Sequence, residues 1–202
     1  MDDAIIIVSG LPRSGTSLMM QMLASGGVEV VTDHVRAADT DNPRGYYEFE
    51  RVKKIQQDTS WLPEARGKAV KMVSQLLYHL PMGEKYRIIF LERDLDEVLV
   101  SQEKMLDRLG RTAAPREAMK QSFIVHLERL KEWLRRRPDV EVLGVGYREL
   151  LERPVEEAKR VNEFLGGAAD VERMAEAVDP SLYRNRKTPG GGGGSLVAGE
   201  SA

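Results

Sequence analysis

The fold is decided by one stretch of sequence, Gly10-Leu11-Pro12-Arg13-Ser14-Gly15-Thr16-Ser17. It follows a continuous aliphatic run, Ala4 to Ser9, which is typical of a strand buried on both faces of a parallel sheet. Hydrophobic residues at helical spacing then begin near Thr16, and the pair Gly26-Gly27 predicts the end of that helix. A strand, a glycine-bounded turn and a helix N-terminus together present backbone N–H groups to an anion. The sequence therefore predicts a phosphate-binding loop.

This loop departs from the common nucleotide-binding motif at one position. Gly10 and Gly15 have the spacing of a P-loop, but Thr16 stands where that motif carries its lysine. The usual contact with the β- and γ-phosphates of a nucleoside triphosphate is therefore missing. The positive charge lies instead at Arg13, inside the loop. A phosphate cradle of this kind indicates a different phosphate-bearing donor.

Two motifs resemble those of sulfotransferases that use 3′-phosphoadenylyl sulfate (PAPS). Residues 12–17, Pro-Arg-Ser-Gly-Thr-Ser, resemble the family's 5′-phosphosulfate loop. Later in the chain, the strand-like residues 88–91 are followed by Arg93, and Ser101 comes eight residues after Arg93. In that family, an arginine at a strand end and a serine at this spacing hold the 3′-phosphate of the donor. Because both motifs occur in the family's order, the chain resembles a small bacterial-type sulfotransferase with a P-loop-like fold.

The resemblance implies a role for each matching residue. Arg13 would lie against the 5′-phosphosulfate, and Lys71, in Val70-Lys71-Met72-Val73, matches a lysine that assists the leaving group. Arg93 and Ser101 would bind the 3′-phosphate. The remaining loop residues would supply backbone N–H and hydroxyl donors: Ser14, Gly15, Thr16 and Ser17. PAPS is then the donor substrate, its desulfated form (PAP) is the product, and no metal is expected.

The catalytic base stays open at the level of sequence. Cytosolic relatives carry a histidine two residues after the lysine, where this chain has Val73. Other branches use a glutamate, and residues 42–50, Asn-Pro-Arg-Gly-Tyr-Tyr-Glu-Phe-Glu, resemble a bacterial-type stretch that would deliver Glu48. His34 competes for the role because the ordinary pKa of histidine suits neutral catalysis. The base is therefore Glu48, His34 or neither.

The basic segment near the C-terminus matches the family only loosely. The family often places an Arg-Lys-Gly element there, in contact with the 3′-phosphate, but Arg186-Lys187 is followed by Thr188-Pro189. A solvated basic segment is the alternative interpretation.

On the acceptor side, aromatic residues in or near loops are candidates for lining an acceptor pocket: Tyr46, Tyr47, Trp61 and Tyr78.

Strand-like and helix-like segments alternate along the chain, which predicts a three-layer α/β fold with a mainly parallel central sheet. Further strands are predicted at residues 28–31, 69–73, 87–91 and 140–145. Further helices are predicted from Leu95 to Leu109, from Arg116 to Arg137, and from Pro154 to the pair Gly166-Gly167. The first of these has Asp94 as its N-cap, and Glu97 completes a capping box.

Length and composition narrow the class of protein. The 202 residues fit a single domain, which we place at residues 1–188, followed by a glycine-rich, disordered tail at residues 189–202. Charge is nearly balanced, with 30 Lys+Arg against 32 Asp+Glu, which argues against nonspecific nucleic-acid binding. There is no cysteine, and no apolar run is long enough to span a bilayer. With no leader-like N-terminus, we expect a cytoplasmic protein.

The resemblance thus implies a PAPS-dependent sulfotransferase whose acceptor is a small molecule or carbohydrate bearing a hydroxyl or amine. Two alternatives stay open. One is a nucleotide kinase or other NTPase with a deviant P-loop, in which Glu92 or Asp94 would hold magnesium. The other is an inactive module that binds a phosphonucleotide. The oligomeric state is not predictable from the sequence.

Overall fold

The computed structural model describes residues 3–33, 35 and 45–179, in which five strands and six α-helices form an α/β fold. The strands are β1 (Ile5–Gly10), β2 (Val30–Val31), β3 (Ala69–Val73), β4 (Tyr86–Glu92) and β5 (Val140–Gly146). The helices are α1 (Thr16–Ser25), α2 (Leu95–Arg108), α3 (Arg116–Arg135), α4 (Tyr147–Glu152), α5 (Pro154–Phe164) and α6 (Val171–Glu176). Three short 3-10 helices lie at Glu50–Lys54, Pro63–Ala65 and Ser74–His79.

The five strands form one parallel sheet in the order β2-β3-β1-β4-β5. Strand β1 lies at the centre, and its last residue, Gly10, is level with Val73 of β3 and Leu91 of β4. The loops that follow these three strands therefore leave the sheet at the same edge. In open α/β sheets, ligands bind at this carboxyl edge, where neighbouring connections diverge. The predicted phosphate loop follows β1 at this place.

Helices cover both faces of the sheet, as the prediction of three layers requires. On one face, Ile6 and Val8 of β1 pack with α1, α4, α5 and α6. On the other, Ile5 and Ile7 pack with α3 and the 3-10 helices. A smaller cluster joins Leu11 of the phosphate loop to α2 and α3 through three buried residues: Val98, Leu99 and Phe123. The alternation along β1 thus divides one apolar run between two cores.

Most element positions agree with the sequence predictions, and the differences are local. The strand predicted at residues 28–31 is reduced to Val30–Val31, and the helix predicted to Arg137 ends at Arg135. Asp94 caps α2, with its side chain accepting hydrogen bonds from the N–H groups of Asp96 and Glu97. Helices α4 and α6 were not predicted, because six residues are too few to show a helical period.

Several predictions fall on residues that the structure does not describe. These are His34, residues 42–44 of the stretch that contains Glu48, the pair Arg186-Lys187, and the tail at residues 189–202. Among the described helices, none is long and apolar enough to cross a membrane. Within the same part of the chain, no group of histidine or acidic side chains is arranged to hold a metal ion.

Candidate active site

The phosphate loop adopts backbone conformations that few residues tolerate. Gly10 has a φ of +154° and Gly15 a φ of +105°. A Cβ at Gly10 would lie 2.4 Å from the hydroxyl oxygen of Ser14 and 2.7 Å from the carbonyl oxygen of Leu91. Arg13, with a φ of +71°, occupies the left-handed region that is uncommon outside glycine. Backbone strain of this kind clusters at ligand clamps and active sites.

The start of α1 is suited to an anion. Gly15 is its N-cap and offers no side chain to the N–H groups of the first turn. Those N–H groups have no partner within the helix and carry partial positive charge. The hydroxyl oxygen of Ser14 is buried and has no hydrogen-bond partner among the described residues. Ser14, Gly15, Thr16 and Ser17 therefore form a compact set of backbone and hydroxyl donors at the carboxyl edge of the sheet.

Lys71 reaches this loop from the neighbouring strand β3. Its ammonium donates a hydrogen bond to the hydroxyl oxygen of Ser17 over 3.0 Å and another to the carbonyl oxygen of Tyr46 over 2.6 Å. The register that pairs Val8 with Lys71 brings the lysine alongside the loop. Lys71 therefore links the phosphate loop to the segment from residue 45 to residue 49.

Arg13 and Ser101 come from elements 88 residues apart in sequence and are in direct contact. The Nε of Arg13 donates to the hydroxyl oxygen of Ser101 over 3.1 Å. Ser101 is buried, two turns into α2, on the side of the helix that faces the loop. The spacing between Arg93 and Ser101 predicted an anion site shared by these two residues, which requires that α2 packs beside the loop. The contact with Arg13 shows that it does.

Arg93 follows β4 and joins the same cluster. Its Nε donates to a carboxylate oxygen of Glu97 over 3.0 Å, and its Nη1 donates to the carbonyl oxygen of Arg13 over 3.1 Å. The guanidinium carbon lies 4.4 Å from the centre of the Tyr147 ring, which is within the range of a cation–π contact. Arg13, Arg93 and Ser101 thus meet in one place. Their assignment to the 5′- and 3′-phosphates of a donor remains a prediction from the sequence.

Two members of this cluster were absent from the predicted site. Glu97 was assigned only to the capping box, but its carboxylate contacts Arg93. The signal that could have identified it is the spacing of four residues between Arg93 and Glu97, because a residue just before a helix N-cap lies near the first turn of that helix. Tyr147 begins α4, and burial of its phenol raises its pKa. It carries no comparable sequence signal, because α4 is too short to predict.

Glu48 lies in the segment that Lys71 anchors. Its carboxylate is 3.5 Å from the ammonium of Lys53, and its side chain is 20% exposed. Its carbonyl oxygen accepts hydrogen bonds from the hydroxyl of Thr32 and the N–H of Asp33. The preceding residue, Tyr47, has a φ of +51°, a second left-handed conformation outside glycine. The backbone at Glu48 is therefore fixed between the end of β2 and the loop.

At the end of β3, the position that would carry the histidine of cytosolic sulfotransferases holds Val73, whose side chain is 38% exposed. The next residue, Ser74, is buried and shares a hydrogen bond of 2.9 Å with Nε2 of His126 on α3. Burial lowers the pKa of His126.

A groove of about 580 Å³ lies beside the Ser74–His126 pair, lined by Tyr78, Gln121, Ser122, Val125, His126 and Arg129. Of the aromatic candidates, Tyr78 lines this groove, whereas Trp61 is buried in the core.

Comparisons with known proteins identify the family of this chain. The sulfotransferase domain family matches residues 2–189, so the chain belongs to that family. No curated protein matches the chain.

Solved structures show the same fold at low sequence identity. The sulfotransferase domain of the Synechococcus PCC 7002 olefin synthase is 17% identical, with a TM-score of 0.58 over 94% of this chain and 90% of that one. The sulfotransferase domain from the curacin biosynthetic pathway is 17% identical, with a TM-score of 0.53 over 89% and 88%. Sulfotransferase STF9 of Mycobacterium avium is 14% identical, with a TM-score of 0.52 over 87% and 67%. At these identities the likeness concerns the fold alone.

Proposed function

We propose that this member of the sulfotransferase family transfers the sulfuryl group of PAPS to a hydroxyl or amine of a small-molecule or carbohydrate acceptor. The observation that carries the proposal is the meeting of Arg13, Arg93 and Ser101 beside the phosphate loop. Two phosphate-binding motifs that are far apart in sequence form a single basic cluster at the carboxyl edge of the sheet. PAPS has two phosphate groups to be held, at its 5′ and 3′ positions, and this cluster supports such a donor better than a simple nucleotide.

Sulfuryl transfer depends on positioning and electrostatics, as phosphoryl transfer does. The acceptor oxygen or nitrogen forms a bond to sulfur while the bond from sulfur to the 5′-phosphate oxygen breaks. The electron pair of that bond stays on the phosphate, and Arg13 and Lys71 stabilise the charge that develops there. Lys71 is within reach because its ammonium contacts Ser17 of the loop. Arg93 and Ser101 hold the 3′-phosphate.

The acceptor must also lose a proton, and we assign that proton to the carboxylate of Glu48. The contact between Lys71 and the Tyr46 carbonyl holds the segment that carries Glu48 next to the loop, which supports this assignment. His34 is the competing candidate from the sequence.

Calorimetric titration with PAP in the presence of EDTA tests the donor site. We expect micromolar binding of PAP and none of comparable strength for ADP or ATP, which lack the 3′-phosphate. Magnesium-dependent ATP binding without PAP binding would contradict the proposal and favour a kinase or NTPase. PAP binding without turnover of PAPS on a broad acceptor panel would indicate an inactive binding module.

The variant Arg93→Ala tests the 3′-phosphate contact. A lost charge-assisted hydrogen bond costs about 1.5–3 kcal/mol, so we expect PAP affinity to fall at least tenfold. Arg136→Ala is the matched control, because Arg136 is exposed at the C-terminal end of α3. An unchanged PAP affinity in Arg93→Ala would mean that Arg93 does not bind the 3′-phosphate.

The variant Glu48→Gln tests the base. General base catalysis contributes about 10²–10⁴-fold, so we expect turnover to fall by at least a hundredfold while PAP affinity is retained. Glu50→Gln is the control, because Glu50 is exposed and also contacts Lys53. Full activity of Glu48→Gln would mean that the catalytic base is His34 or another group.

A further inference from the structure

Three polar side chains lie beside the phosphate loop at the start of α2. Arg93 precedes the N-cap Asp94, whereas Glu97 and Ser101 are four residues apart within α2 and lie on one side of the helix. Arg93 and Ser101 were predicted to bind the donor, but Glu97 lies between them and carries the opposite charge. A carboxylate beside a phosphate site requires an explanation, because like charges repel.

The contact between Glu97 and Arg93 is buried and well formed. Each side chain is 8% exposed, and the distance from Arg93 Nε to the Glu97 carboxylate is 3.0 Å. The same guanidinium is held by the carbonyl oxygen of Arg13 and by the ring face of Tyr147. Because a guanidinium is planar, contacts with one N–H edge, a second nitrogen and one face fix the direction of the whole group.

We propose that Glu97 is a positioning residue for the 3′-phosphate site. Its carboxylate accepts the Nε–H of Arg93 and holds the guanidinium in the orientation that receives the 3′-phosphate of the donor. This inference rests on the proposed function and adds to it a residue that acts through Arg93. Donor binding then depends on the side-chain length of Glu97 and on its hydrogen bond to Arg93, while the negative charge of Glu97 is secondary.

Two substitutions at Glu97 separate the effect of side-chain length from that of charge. Glu97→Gln keeps the length of the side chain and an oxygen that can accept from Arg93, but removes the charge. Glu97→Asp keeps the charge but shortens the side chain by one methylene, which withdraws it from Arg93. Glu97→Ala removes both properties. Asp96→Ala is the matched control, because Asp96 is the neighbouring carboxylate of the same helical turn and pairs with Lys120 of α3.

The experiment is calorimetric titration of each full-length variant with PAP and with adenosine 5′-phosphate, in EDTA. Thermal unfolding verifies that each variant is folded. We expect Glu97→Asp and Glu97→Ala to lose at least tenfold in PAP affinity while adenosine 5′-phosphate binds as in the wild type. Glu97→Gln should remain within about threefold of the wild type for both ligands, and Asp96→Ala should not change. Each tenfold loss corresponds to about 1.4 kcal/mol.

Other outcomes overturn the inference in distinguishable ways. Equal losses for both ligands would indicate a merely structural role for Glu97. Tighter PAP binding by Glu97→Gln would mean that the carboxylate opposes the phosphate instead of preparing its site. If Glu97→Ala does not fold, Glu97→Asp carries the same test. If the wild type itself does not prefer PAP over adenosine 5′-phosphate, the proposed function fails, and this inference fails with it.

Discussion

Gly15 shows how a single missing side chain shapes the site. Its φ of +105° lies in a region that L-residues rarely adopt, and a Cβ there would lie 2.4 Å from Cδ2 of Tyr147. The Tyr147 ring also stacks on the guanidinium of Arg93. The aromatic ring therefore packs between the N-terminus of α1 and the arginine that follows β4. Only glycine at position 15 allows this approach.

Gly15→Ala is predicted to be more destabilising than an equivalent change elsewhere. A left-handed conformation costs an L-residue about 1–2 kcal/mol, and overpacking against Tyr147 adds about 1–3 kcal/mol. Gly27→Ala is the control, because Gly27 also has a positive φ, +86°, but has open space around its Cα. Urea denaturation should show the larger loss of unfolding free energy in Gly15→Ala, accompanied by weaker PAP binding. Equal losses in the two variants would contradict the packing argument.

At the scale of elements, α2 and α3 connect the phosphate loop to the rest of the molecule. Asp94 caps α2 in the manner that the sequence predicted, but the expected partner in the capping box, Glu97, contacts Arg93. Helix α3 packs on the sheet through Leu130 and Leu134, and its His126 is hydrogen-bonded to Ser74 after β3. Polar side chains on both helices thus contact residues outside their own helix.

The buried His126 predicts a pH dependence of stability. Burial holds its pKa in the folded protein below the ordinary value, so the unfolded chain binds a proton more readily. Unfolding free energy should therefore fall as the pH drops below about 6.5, the ordinary pKa of histidine, until the folded pKa is passed. His126→Gln should reduce this dependence in urea denaturation measured between pH 5 and pH 8.

His79→Gln is the matched control for that measurement, because His79 is an exposed histidine on the 3-10 helix after β3. The prediction is wrong if His126→Gln and the wild type lose stability in parallel as the pH falls.

At the scale of the whole molecule, the parallel sheet is covered on both faces and so has two cores. Ile6 and Ile7 are adjacent in β1, yet each is buried in a different core. The edge strand β5 differs, because its Val142 is 44% exposed. Side chains on both faces of a central strand are therefore buried, so truncating a side chain on either face should destabilise the protein.

Ile6→Ala and Ile7→Ala are predicted to cost similar amounts, about 2–5 kcal/mol of unfolding free energy each. Val142→Ala is the control and should cost less than about 1 kcal/mol, since exposed positions contribute little. Chemical denaturation of the three variants measures this. A near-neutral effect at Ile6 or Ile7 alone would mean that one face of the sheet is not packed as described.

Features that depend on residues close together in the chain were predictable from the sequence. The aliphatic run before Gly10, the glycine-bounded loop and the Asp94 cap are all local patterns, and β1, α1 and the start of α2 form where those patterns predicted. The two motifs that contain Arg13 and Ser101 were also recognisable, because each is a short local pattern, but their direct contact was not predicted. The extent of the domain and the disordered tail remain predictions.

Which distant residues share the site depends on how the helices and strands pack. Lys71 contacts Ser17 because β1 and β3 pair in one particular register, and His126 meets Ser74 because α3 packs against the 3-10 helix that follows β3. Tyr147 reaches Arg93 from a helix that was too short to predict. Periodicity and capping depend on residues a few positions apart, whereas strand register and helix packing are settled by the burial of the whole core. A contact between residues 50 or more positions apart therefore has no local signal in the chain.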